Sequence, residues 1–124
     1  MSDSQLEAVI QEAPGTHKAT VIWLHGLGDS GNGFAPIAPE LQLPDSAGVK
    51  FIFPHAPIRP VTINNGMQMR AWYDIKSMDM ESRADVDGVR ESSSLVQDLI
   101  EKEIQSGIPS TKIFVVGFSQ GDVI

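Results

Sequence analysis

Ser119 stands in Gly117-Phe118-Ser119-Gln120-Gly121, a G-x-S-x-G pattern that follows the apolar run from Lys112 to Val116. A serine hydroxyl becomes a useful nucleophile only when the backbone lifts it clear and a base takes its proton. A sharp strand-to-helix turn does the lifting. Glycine is needed at both flanks because a side chain at Gly117 or Gly121 would collide with the neighbouring strand or helix. In such a turn the N–H of Gln120 points into the same space from the start of a helix, where the dipole favours a developing negative charge. The chemistry implied is acyl transfer, with charge gathering on a carbonyl oxygen. One amide donor does not hold that oxygen, so a second is expected from the loop after an earlier central strand.

"WLHGLGDSG", residues 23 to 31, is that loop, and the N–H of Leu27 is the candidate second donor. The same stretch carries Gly26, Gly28 and Gly31 in the G-x-G-x-x-G spacing of a dinucleotide-binding loop. Such a loop also needs an acid at the end of the next strand to bind ribose hydroxyls. This chain has Phe53-Pro54-His55-Ala56 there, and Asp29 inside the loop would repel a phosphate. The glycines are therefore expected to bring backbone N–H groups against an acyl carbonyl.

Strands must position both loops. "ATVIWLH", Ala19 to His25, is an unbroken apolar run with β-branched and aromatic residues, as a central strand covered on both faces requires. Phe34, Ile37, Ala38 and Leu41 recur on one face of a helix that Pro44 stops. "VKFIFPHAP", Val49 to Pro57, is a second buried strand and completes a βαβ unit. Leu6 to Gln11 is a short first strand. Asn65-Gly66 in "VTINNGMQM" signals a two-residue turn between short β-prone arms, a small excursion from the sheet. A long helix is expected over about Arg83 to Gln105, with Val86, Val89, Val96, Leu99, Ile100 and Ile104 on one side and Gly107 placed to end it. Lys112 to Val116 is the third buried strand.

A chain of 124 residues reads as a single domain, and 41% hydrophobic with 20% charged residues is an ordinary globular composition. A net charge of −7 opposes a nucleic-acid partner. No basic amphipathic helix and no run of ~18 apolar residues points to stable membrane insertion. The chain has no cysteine, and His17, His25 and His55 form no i,i+4 pair, so no metal site is expected. The N-terminal residues lack a basic, then apolar, leader pattern, which makes the cytoplasm the expected location.

In this order and at these spacings, "WLHGLGDSG", "FIFPHAP", "RAWYDI" and "GFSQG" resemble the carboxylesterase and acyl-protein thioesterase family of small α/β-hydrolases, over about Val21 to Gly121. The resemblance implies an α/β fold: the N-terminal part of an α/β-hydrolase, with a mostly parallel central sheet flanked by helices, ending at the nucleophile elbow. It implies Ser119 as nucleophile of a Ser-Asp-His triad, Leu27 and Gln120 as oxyanion donors, and Trp72 as a residue lining the acyl pocket. Substrates would be small-molecule or acylated-protein esters or thioesters, and no cofactor is used. The apolar Ile58, Val61, Ile63, Met67, Met69 and Trp72 suit either a hydrophobic acyl group or a satellite core.

In these hydrolases the acid and then the histidine follow the serine. Five residues follow Ser119; Asp122 is the sole acid among them, it stands where the family has a small residue, and no histidine is present. The expectation is a chain truncated after the elbow, weakly active alone, with "KIFVV" as an apolar sheet edge. The alternative is a non-catalytic half-domain that associates through this edge with a second chain, either a copy of itself or one supplying the strands, Asp and His. His25 is expected to serve as a structural hydrogen-bonding residue, as is His55, and His17 as a solvated side chain.

Overall fold

A computed structural model describes residues 7–41, 43–75 and 86–118. The expected element starts at Leu6 and Arg83 lie outside these residues, as do Ser119, Gln120, Gly121 and Asp122. The strands are β1 (Ala8–Gln11), β2 (Ala19–Leu24), β3 (Val49–Pro54), β4 (Ile58–Val61), β5 (Met67–Arg70) and β6 (Ile113–Gly117). Four of them form one sheet in the order β1-β3-β2-β6, while β4 and β5 pair separately. As expected, β2 is central, with parallel neighbours on both sides; β1 lies antiparallel on β3. The mostly parallel sheet of an α/β-hydrolase is thus present.

Side-chain alternation divides the core into two layers. Ile22, Leu24 and Ile52 point to one face, which packs Val89, Val96, Leu99 and Ile100 of the helix α3 (Val86–Gln105) together with Trp72. Phe51, Phe53, Val21 and Trp23 point to the other face, beneath Ala35, Ile37 and Ala38. Trp23 and Val21 are only half-buried, so β2 is fully covered on the α3 face alone.

The single helix expected through Phe34, Ile37, Ala38 and Leu41 is instead two one-turn helices, α1 (Gly31–Phe34) and α2 (Ile37–Glu40). Pro36 and Pro39 supply no N–H to a helical ladder, and Gly31 and Gly33 weaken the first turn. Ala38 is buried but Leu41 is exposed; the side chain of Phe34 lies outside the description.

Helix α3 ends as its sequence predicts. Gly107 adopts a left-handed φ of +109°. Its N–H donates to Ile104 C=O and that of Ile108 to Glu103 C=O, which together make a Schellman motif. The inner face differs from the expected stripe. Val86 and Ile104 are exposed, while Gly88, Ser92 and Glu103 are buried beside Val96. The polar pair is tolerated because both find partners: Ser92 Oγ donates to Trp72 C=O, and Glu103 meets Thr20 and Lys50.

Asn65 and Gly66 take left-handed φ values of +59° and +77°, as the turn signal requires. The connection is nonetheless longer than two residues. Thr62–Asn64 form a 3-10 turn first, and the ladder resumes at Val61 opposite Met67. The third strand departs most from expectation. Among the described residues β6 pairs with β2 alone, and Phe114, Val115 and Val116 are 50%, 46% and 36% exposed. Among the described residues it is thus an exposed apolar edge and not a buried strand.

Candidate active site

Parallel pairing brings the glycine loop and the start of the G-x-S-x-G stretch to one edge of the sheet. Leu24, the last residue of β2, stands in register with Gly117, and the N–H of Phe118 donates to Leu24 C=O at 3.0 Å. The residue before Ser119 therefore lies against the start of the glycine loop. Ser119 and Gln120 are not among the described residues.

The loop is tied down mostly through its backbone. Gly26 C=O accepts from His25 Nδ1 at 2.6 Å and from Asp29 N–H at 3.2 Å. Gly28, at φ +76°, donates its N–H to Arg70 C=O at 2.9 Å, so the end of β5 holds the loop from one side. Gly31 donates to His55 Nδ1 at 3.0 Å, and a Cβ there would stand 2.0 Å from Phe53 O, so the loop can lie this close to β3 only with glycine. Leu27 is half-buried, and no hydrogen bond from another described residue takes up its N–H.

His25 and Trp72 form the floor. Both are fully buried. Trp72 Nε1 donates to His25 C=O at 2.8 Å, and the two rings lie 5.2 Å apart. His25 Nε2 accepts from Ala56 N–H at 2.9 Å, which leaves the ring proton on Nδ1. Burial pushes the His25 pKa below its ordinary value. The Gly26 bond and the charge of Asp29 oppose that shift, while His55 and Arg70 add to it. His25 is thus the hydrogen-bonding residue the sequence suggested, and Arg70 reinforces the floor by donating from Nη1 to Ala56 C=O at 3.0 Å.

His17 is not merely solvated. Its Nε2 lies 2.8 Å from Thr20 Oγ1 and 3.6 Å from Glu103 Oε1, at the end of the parallel strands away from the glycine loop. Sequence reasoning missed this cluster and Ser92, although Gly88, Ser92 and Val96 do fall at i, i+4, i+8 along one side of α3.

A dinucleotide finds little here. Asp29 Oδ1 accepts from Ser30 N–H at 2.8 Å, which puts a carboxylate at the mouth of α1, where a phosphate would sit. That helix has only four residues. Among the described residues no group of three His, Asp or Glu side chains could hold a metal ion, and no helix is long and apolar enough to cross a membrane.

A mostly parallel sheet with helices on both faces, a glycine loop after the central strand and a G-x-S-x-G stretch beginning beside it define an α/β-hydrolase fold. Residues 6–124 match the phospholipase/carboxylesterase family, and the chain belongs to it. It is 46% identical over 121 residues to acyl-protein thioesterase 1 of Schizosaccharomyces pombe, covering 98% of this chain and 53% of that protein. It is 47% identical over 111 residues to acyl-protein thioesterase 1 of Cryptococcus neoformans, with coverages of 87% and 46%. Among solved structures, Zea mays acyl-protein thioesterase 2 superposes with a TM-score of 0.77 at 36% identity, over 93% of this chain and 47% of that one. The chain spans about half the length of the relatives it matches.

Proposed function

We propose that this chain forms the nucleophile and oxyanion part of a serine hydrolase that cleaves carboxylic esters or acyl thioesters. Ser119 Oγ attacks the acyl carbonyl while a base takes its proton, and the oxyanion rests on the Leu27 and Gln120 amides. The C–O or C–S bond then breaks as the proton passes to the leaving alcohol or thiol, and water repeats the sequence to release the acid. No cofactor enters. The observation that supports this most directly is the bond from Phe118 N–H to Leu24 C=O, which brings the residue before Ser119 beside the glycine loop. In this reading Trp72 belongs to the wall behind the acyl group and acts through the loop it supports. The relatives' names favour an acylated protein as substrate, and the expected cytoplasmic location belongs to the same reading.

None of the three histidines serves as the base. His25 has both ring nitrogens engaged, His55 Nδ1 accepts from Gly31, and His17 lies at the far end of the strands. A fluorophosphonate probe tests the assignment. Labelling of the full-length chain at Ser119, lost in Ser119→Ala, supports it; labelling that survives Ser119→Ala refutes it.

A second reading is favoured by the exposure of Phe114, Val115, Val116 and Phe118. In it the chain is a half-domain that docks a partner along β6. Fully burying a Val or Phe side chain contributes about 1.5–3 kcal/mol, so covering these four is a substantial driving force. The partner supplies strands, Asp and His. Esterase activity that appears only on mixing the two chains supports this reading.

A further inference from the structure

We propose that His25 aims the oxyanion donor: its imidazole fixes the Gly26–Leu27 peptide plane so that the Leu27 N–H faces the reacting carbonyl. This rests on the assignment of Leu27 as a donor in the reading above.

A peptide unit is planar and trans, so the Gly26 carbonyl and the Leu27 N–H point in opposite directions. The carbonyl is held by His25 Nδ1–H at 2.6 Å and by Asp29 N–H at 3.2 Å. Its direction therefore sets that of the Leu27 N–H, which no other described residue engages. Gly26 offers little resistance of its own to rotation of this plane, because glycine reaches most backbone conformations. The restraint has to come from a neighbour, and His25 is rigid enough to supply it. Ala56 N–H holds its Nε2, Trp72 Nε1–H holds its carbonyl, and the Trp72 ring lies tilted against it.

The same contacts select the protonation state. With Nε2 accepting from Ala56, the single ring proton must sit on Nδ1, where it reaches Gly26 C=O. An imidazolium would set a second N–H against that of Ala56. Burial most of all, with His55 and Arg70, disfavours the charged form, against the Gly26 bond and Asp29, which favour it. His25 is thus a positioning residue with no free nitrogen for proton transfer.

The test is steady-state hydrolysis of p-nitrophenyl butyrate by the full-length chain. Oxyanion contacts form in the transition state, so their loss appears in kcat and not in KM. His25→Leu is expected to lower kcat about 100-fold, the scale of one lost oxyanion donor, with KM changed by less than about twofold. His25→Asn, whose amide nitrogen can still donate to Gly26 C=O, is expected to recover about tenfold of that loss. Ser119→Ala, run alongside, separates the two ideas. Wild-type turnover in Ser119→Ala would sink the hydrolase reading. If Ser119→Ala is dead while His25→Leu keeps its kcat or changes only KM, the hydrolase reading stands and the role of His25 is overturned. Should His25→Leu fail to fold, 15N NMR of the unaltered protein decides. A proton on Nδ1 with a rapidly exchanging Leu27 amide supports the proposal, and a proton on Nε2 overturns it.

Discussion

Thr20 Oγ1 donates a 2.6 Å hydrogen bond to Glu103 Oε1, joining the central strand to α3 across 83 residues of sequence. Thr20 and Lys50 are in-register neighbours on β2 and β3, and Lys50 Nζ reaches the other oxygen of the same carboxylate at 3.0 Å. One buried side chain thereby clasps two parallel strands and the helix above them.

Glu103→Ala should destabilise the fold by about 2–3 kcal/mol, since it removes charge-assisted bonds and leaves Lys50 and Thr20 without their acceptor. A lower urea midpoint at unchanged m-value would show it. A midpoint equal to that of the unaltered protein would mean that the cluster contributes nothing net.

Acid should loosen the protein in two windows. Burial raises the Glu103 pKa, but the bonds from Thr20 and Lys50 and the charges of Lys50 and His17 outweigh it, so the carboxyl lies below its ordinary 4.5. The unfolded chain then takes up the proton first, and this contribution is present above pH 4.5 and lost as pH falls below it. For His25, depressed from 6.5 mainly by burial, the neutral ring favours the fold, so its contribution is present above pH 6.5 and lost as pH falls below that. Urea midpoints measured from pH 8 to 3 on Glu103→Gln and the unaltered protein should converge at the acid end. NMR should show the neutral form of His25 in the majority at pH 6.5.

Gly31→Ala should cost about 1–3 kcal/mol through overpacking, because its Cβ would meet backbone rather than a yielding side chain. Thermal melts would measure it. The same substitution at Gly33, where the clash is with the Asp29 carboxylate, should be milder, since that side chain can move.

In the reading that docks a partner along β6, Val115→Lys should abolish that association and leave a monomer. An exposed apolar edge templates further strand pairing, and a lysine there blocks it. Sedimentation velocity on the two chains reads the difference; equal sedimentation would remove β6 as the contact.

Much of this was legible from residue order. β2 announced itself through an unbroken apolar run, Gly107 through its place after the last helical turn, and the loop through its glycines. What stayed hidden depends on contacts distant in sequence. Nothing local in α3 says that Glu103 will be buried while Ile104 faces solvent; the choice is made by Thr20 and Lys50. Helical periodicity over residues 34 to 41 was real but lost to Pro36 and Pro39. His17 likewise acquires a role only once β2 and α3 are brought together.

The glycine loop takes its bearings less from the large sheet than from the small hairpin and the turn after it. Arg70 grips Gly28, Trp72 grips His25, and α3 in turn steadies Trp72 through Ser92. Changes in the β4–β5 ribbon can therefore shift this loop while β1, β2, β3 and β6 stay as they are. A scaffold arranged this way lets one loop be reshaped without disturbing the foundations on which folding depends.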